Sequence, residues 1–109
     1  MLRKFLTKPF YNFAKICKTP SEAIEGLKDG DTLMVGGFLL CGVPMNLLNA
    51  VREANIRDLT TISNEFGRGD LTGDIDWGIG ILLQKKQVKK AMLSYFGVNK
   101  RLEHMYLNG

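Results

Sequence analysis

Histidine is nearly absent: His104 is the only one in 109 residues, and Cys17 and Cys41 are the only cysteines. No C-x-x-C pair occurs, which excludes a zinc cluster built within this chain. Nothing marks the chain as secreted, so the two cysteines read as reduced thiols. No apolar run is long enough to span a bilayer or to form the core of a secretory signal. Acid is missing from the first 20 residues, which carry Arg3, Lys4, Lys8, Lys15 and Lys18. The net charge of +4 belongs to that segment, because residues 21–109 hold ten basic and eleven acidic groups. A body so close to neutral lacks the cationic surface that nucleic acid requires.

What is present suits one soluble domain. The chain is 45% hydrophobic and 24% charged, the balance of a globular protein. The opening "MLRKFLTKPFYNFAK" interleaves its basic groups with Leu2, Phe5, Leu6, Phe10 and Phe13. That pattern reads as a transit peptide to a mitochondrial matrix or a related organelle, the alternative being a disordered basic extension. Residues 1–18 are assigned to this tail and 19–109 to the folded part.

"KTPSEAIEGL" opens with a helix signal. Thr19 caps, Pro20 takes the first helical position and Glu22 completes a capping box, with Ala23, Ile24 and Leu27 as the apolar face. "TLMV" reads as a strand buried on both faces. Pro44 fits the first turn of the next helix, whose buried stripe is Leu47, Leu48, Val51 and Ala54. "LTTIS" is a second strand, rich in β-branched residues. "NEFGRGDLTGDIDWG" is a loop, residues 79–86 a helix, and a third strand lies within 88–96. "NKRLEHMYL" closes the chain as a helical turn or two, with Leu102, Met105 and Tyr106 on one side. Strands about thirty residues apart, alternating with helices, predict a parallel, Rossmann-like open α/β sheet. Its ligand rim is the carboxyl end of the strands. That rim gathers the loop "GGFLLCGVP", the "SNEFG" segment and the "YFG" segment. Three strands leave an edge unpaired, and "LNG" reads as a helix C-cap, so the sheet is expected to be incomplete.

The loop at 36–44 packs Gly36, Gly37 and Gly42 between a strand and a helix. Such spacing lets backbone N–H groups approach an anion, or simply makes a tight turn. Neither the Walker A pattern nor G-x-G-x-x-G is met.

The stretch "DGDTLMVGGFLLCGVP" resembles the signature of the family I CoA-transferases at Asp29, Gly30, Gly36, Gly37, Phe38, Gly42 and Pro44. "SNEFG", "GILLQKKQVKKAMLSYFG" and "LEHMYLNG" are similar to the first part of the succinyl-CoA:3-ketoacid members, so the resemblance runs from about residue 15 to 109. It implies a partial CoA-transferase fold and CoA transfer from succinyl-CoA to a 3-oxoacid such as acetoacetate. The route is a glutamyl-CoA thioester, with coenzyme A as co-substrate and no permanently bound cofactor. Acyl-CoA and carboxylic acids are the implied substrates. The family's nucleophilic glutamate lies in a Ser-Glu-Asn-Gly motif that this chain lacks. The missing C-terminal half or a β subunit is therefore an implied partner, with a homo-oligomer as the assembly. The resemblance places Gly36, Gly37, Phe38, Gly42 and Pro44 at the acyl-CoA and Asn64 at an oxyanion. Glu65 stands where the family has a second Asn, and an acid there opposes a developing oxyanion. Alternatives are an acetate:succinate transferase, a non-catalytic CoA- or partner-binding module, and a sugar-phosphate binder of the related isomerase architecture, whose acids and bases at strand ends are scarce here.

The remaining candidates read as structural. Cys41 is expected to be a small packed side chain. Lys85, Lys86, Lys89 and Lys90 read as a solvated helix end rather than a phosphate site. Phe66 and Trp77 pack their loop, and His104 sits on a helix surface.

Overall fold

The computed structural model describes residues 15–72 and 76–109, so most of the basic tail, residues 1–14, lies outside the described residues. Three strands, β1 (Thr32–Val35), β2 (Leu59–Ser63) and β3 (Val88–Leu93), form one sheet in that order, every neighbouring pair parallel. Parallel neighbours need long crossovers. The first carries helix α2 (Met45–Glu53); the second carries a 3-10 turn at Gly78–Gly80 running into helix α3 (Ile81–Gln84). Short α1 (Pro20–Ala23) precedes the sheet and α4 (Lys100–Asn108) follows it.

The register sorts the strand residues into two faces. Leu33, Thr61 and Ala91 form one row, and Met34, Ile62 and Met92 the row on the opposite face. The first face is the buried one. Leu33, Val35, Leu59, Val88 and Ala91 join a single apolar cluster with Leu48 and Val51 of α2 and with Ile81, Leu82 and Leu83 of α3. The expectation that β1 is buried on both faces is corrected: Met34 is 76% exposed. A four-residue apolar run carries no phase that says which of its faces a neighbour will cover. The stripe of α2 is likewise Leu48, Ala50 and Val51, while Leu47 and Ala54 are exposed.

Caps begin two of the helices. Thr19 Oγ1 accepts from Glu22 N–H at 3.1 Å. The Glu22 carboxylate reaches one residue further back than a capping box requires and accepts from Lys18 N–H at 2.7 Å. Asn99 Oδ1 accepts from Leu102 N–H at 2.9 Å and starts α4. Pro44 is the residue before α2 rather than its first turn.

Gln87 holds the amino end of the sheet together. Its side chain is fully buried. Nε2 donates to the carbonyls of Val51 at 3.0 Å and Ile56 at 2.8 Å. Its backbone N–H donates to Leu82 O at 3.1 Å and its carbonyl accepts from Leu59 N–H at 2.9 Å. One residue thus links α2, the turn after it, β2 and α3. Gln87→Met keeps the length of the side chain but leaves two carbonyls without a donor, each such orphan costing about 1–3 kcal/mol. Urea unfolding is expected to register a loss of about 2 kcal/mol; a loss below about 0.5 kcal/mol would show that the backbone bonds alone hold this end.

Candidate functional site

Three loops leave the carboxyl ends of the strands, at 36–44, 64–77 and 94–99. The first is a small hairpin. Phe38 and Cys41 exchange two backbone hydrogen bonds of 2.9 Å each around Leu39 and Leu40. Gly37 has φ +126°, and a Cβ there would lie 2.7 Å from Val43 Cγ2, so only glycine lets the hairpin fold against the start of α2. Phe38, Leu39 and Leu40 are all exposed, giving the loop an apolar tip. Cys41 is exposed too, which corrects the expectation of a packed thiol. The hairpin uses the main chain of Cys41, and the side chain is left outside.

The second loop doubles back on itself. Gly80 N–H donates to Phe66 O and Trp77 N–H to Arg68 O, both at 2.8 Å. Gly67 and Gly78 have positive φ and face one another; a Cβ on Gly67 would overlap the Trp77 carbonyl oxygen. Phe66 is thereby driven fully into the core, as its packing role predicts, and Trp77 is half-buried. The loop is tied to the start of α4, directly after the third loop, by Lys100 N–H to Gly69 O at 2.8 Å and by Arg101 Nε facing Asp76 Oδ2 at 3.6 Å.

Asn64 and Glu65 behave oppositely. Asn64 is exposed, and its carbonyl accepts from Ser94 and Tyr95 N–H at 3.1 and 3.2 Å, which fixes the carboxyl ends of β2 and β3 together. Glu65 is 7% exposed, and neither carboxylate oxygen has a hydrogen-bond partner among the described residues. It lines a cavity of about 490 Å³ shared by all three loops: Leu39 and Leu40 from the first, Glu65 and Arg68 from the second, Val98 from the third, with Lys100 at the start of α4. Lys100 is bound by Glu103 at 2.7 Å, and that hydrogen bond holds its pKa above the ordinary lysine value.

Gly36, Gly37, Phe38, Gly42 and Pro44 lie in the loop that supplies Leu39 and Leu40, and Asn64 adjoins Glu65, but none of the six lines the cavity itself. Arg68, Val98 and Lys100 carry no motif in the sequence; only the position of their loops on the rim points to them. Lys85, Lys86, Lys89 and Lys90 stand at the amino end of β3, the end of the sheet away from the rim. Lys85 Nζ donates to Arg52 O at 3.2 Å. His104 is exposed on α4. Among the described residues no group of His, Cys, Asp and Glu could hold a metal ion. No described helix is long and apolar enough to cross a membrane.

The sequence model of a family described as coenzyme A transferase matches residues 17–109. One subunit of a probable succinyl-CoA:3-ketoacid coenzyme A transferase of Bacillus subtilis is 43% identical over 95 residues, 87% of this chain and 37% of the relative. The human mitochondrial succinyl-CoA:3-ketoacid coenzyme A transferase 2 is 38% identical over 107 residues, 98% of this chain and 19% of its own length. A crystal structure of an acyl-CoA transferase from E. coli O157:H7, in a thioester complex with CoA, superposes with a TM-score of 0.65 at 27% identity, covering 90% of this chain and 20% of that one. The chain thus spans well under half the length of the relatives it matches.

Gly67→Ala tests the loop closure. The new methyl meets backbone, which cannot swing away, at a φ that L-residues resist. A loss of about 3 kcal/mol or more is expected in denaturant unfolding. Gly26→Ala, where a Cβ meets nothing within 4 Å, is the control and is expected to stay within about 1 kcal/mol of the parent. Equal effects at the two positions would refute the closure.

Proposed function

The chain belongs to the coenzyme A transferase family, and from that premise we propose that it supplies one part of a CoA-transfer site whose nucleophile comes from a partner portion. In finer form, the reaction moves CoA from succinyl-CoA to a 3-oxoacid such as acetoacetate. The observation that carries this reading is the convergence of the glycine hairpin with the loops after β2 and β3 on one cavity at the carboxyl rim.

The chemistry asked of such a site is covalent catalysis by a carboxylate. A glutamate oxygen attacks the thioester carbon, the C–S bond breaks, and CoA leaves as the thiolate. The thiolate then attacks the glutamyl carbonyl of the mixed anhydride and expels the first acid as its carboxylate. The acceptor acid collects CoA by the same two steps in reverse. Each attack puts negative charge on a carbonyl oxygen, where preorganised donors lower the barrier. In this reading the Asn64 amide is one such donor, and Gly36, Gly37, Phe38, Gly42 and Pro44 form the loop along which the acyl-CoA lies. Ser-Glu-Asn-Gly is absent from the given residues, and in this reading they are inactive without the complementary portion. The Bacillus relative is by name one subunit of its transferase, which supports a second, complementary polypeptide here, and a homo-oligomer of the whole is part of the proposal. The mitochondrial names of some relatives and the basic opening segment support a mitochondrial matrix location; bacterial relatives are equally similar.

A second reading is a non-catalytic module that binds CoA or a partner, for which the exposed Met34 and Met92 with Ile62 between them would serve as contact surface. One assay separates the two. The chain is co-expressed with the complementary portion of the Bacillus transferase, comprising the rest of the matching polypeptide and the polypeptide it pairs with. Acetoacetyl-CoA is expected from succinyl-CoA and acetoacetate with the assembled complex and not with the chain alone. Assembly without transfer to any acid overturns the enzyme reading in favour of the module. In the active complex Asn64→Ala is expected to lower kcat about 100-fold; an unchanged kcat would remove Asn64 from the oxyanion site.

A further inference from the structure

Asp76 is a buried acid that neither the apolar core nor the transfer chemistry accounts for. It stands on the returning arm of the second loop, one residue before Trp77. Its side chain is 3% exposed, and among the described residues neither carboxylate oxygen has a hydrogen-bond partner. Such a charge is costly unless donors and opposite charge surround it. Two donors in the same condition lie beside it. Arg101 Nε, buried and without a hydrogen bond, faces Asp76 Oδ2 at 3.6 Å. Asn99 is fully buried; its Oδ1 is spent on capping α4, and its Nδ2 is without an acceptor among the described residues. Two glycines locate the meeting point. A Cβ on Gly69 would lie 2.5 Å from Asp76 Oδ1 and 2.9 Å from Asn99 Nδ2, and one on Gly80 would lie 2.6 Å from that same Nδ2. Acceptor and amide donor thus converge over the bare Cα of Gly69.

The needs of the three side chains are complementary. Asp76 brings only acceptors, while Asn99 Nδ2 and Arg101 Nε bring only donors. A shift of about half an ångström brings the Arg101 contact into hydrogen-bond range. We propose that Asp76 is a positioning residue of the rim, its carboxylate shared between Asn99 and Arg101 as a clamp that sets the separation of the second and third loops. Gly67 and Arg68 line the cavity just before Gly69, and Gly97 and Val98 line it just before Asn99. Asp76 itself is outside that lining, so it acts through these two walls. Among the described residues the main chain contributes one hydrogen bond between 66–69 and 97–101, from Lys100 N–H to Gly69 O. A single bond is a hinge, and the buried carboxylate turns it into a brace. That the walls receive an acyl chain rests on the proposed function; the clamp does not.

A reciprocal exchange tests it. Asn99→Asp keeps a side chain that caps helices equally well but turns two buried carboxylates toward one another. In the full 109-residue chain it is expected to lower the melting temperature by about 10 °C, and Asp76→Asn by about 5 °C. The double variant restores one amide and one carboxylate to the cluster. It is expected to lose less than about half of the two single losses taken together. Should Asn99→Asp fail to fold, a double variant that folds shows the same coupling, and one that fails with it overturns the clamp. NMR of the chain reads the rim directly: Asp76→Asn is expected to shift the amide signals of 67–68 and 97–98, and the double variant to return them. In the assembled complex Asp76→Asn is expected to raise KM for the acceptor acid about fivefold with kcat within about twofold, and the double variant to bring KM back. A lower stability alone does not produce that split. Additive melting losses, unmoved rim signals, or a kcat that falls at constant KM overturns the inference and leaves the proposed function intact. A complex that transfers CoA to no acid strikes the proposed function, and the melting and NMR outcomes then decide the clamp.

Discussion

The rim depends on one backbone crossing. The segments at 66–69 and 77–80 approach so closely that Gly67 and Gly78 have no room for side chains, and Phe66 and Arg68 accept hydrogen bonds from Gly80 and Trp77 across the gap. A crossing this tight fixes direction as well as distance. It sends Phe66 into the core, where burial of a large aromatic ring is a leading source of stabilisation. Being adjacent to Phe66, Glu65 is held where a free loop would never keep an acid. The described residues 64–72 and 76–77 after β2 are in this way a structured wall rather than a tether. Its link to α4 through Gly69 and Lys100 extends the same constraint to the third loop.

At the other end of the sheet Gln87 does with one buried amide what the glycines do by lacking side chains. Its hydrogen bonds to Val51 and Ile56 close the crossover after α2, so β2 and β3 start in register. The extra residue between Val88 and Lys90 is accommodated there, beside Leu59 and Thr60. All the buried apolar residues so fixed lie on one side of the sheet. Parallel sheets are ordinarily covered on both faces. The row of Met34, Ile62 and Met92 is the surface on which the proposed partner portion would pack.

β1 and β2 were legible because each is a short β-branched or apolar run between turn signals, and a parallel order followed from the thirty-residue spacing of the strands. Thr32–Val35 and Leu59–Ser63 begin and end where the pattern does. The glycine loop was legible as a loop, and its family through the fixed positions from Asp29 to Pro44. Three things were hidden, each for a reason of reach. Exposure of Met34 depends on what covers the second face, which a four-residue run does not encode. Exposure of Cys41 depends on a hairpin closed by its own main chain. The burial of Glu65 follows from contacts between Gly67 and Gly78, eleven positions apart in a segment with no periodicity to read.

These hidden features bear on one another. A tight glycine crossing hides a carboxylate, and a hairpin that spends its backbone on itself presents Leu39 and Leu40 to the cavity that Glu65 also lines. The order observed along two consecutive residues is amide outside and acid inside. In the proposed reading Asn64 is left at the rim, where charge would develop during acyl transfer, while Glu65 is buried behind it.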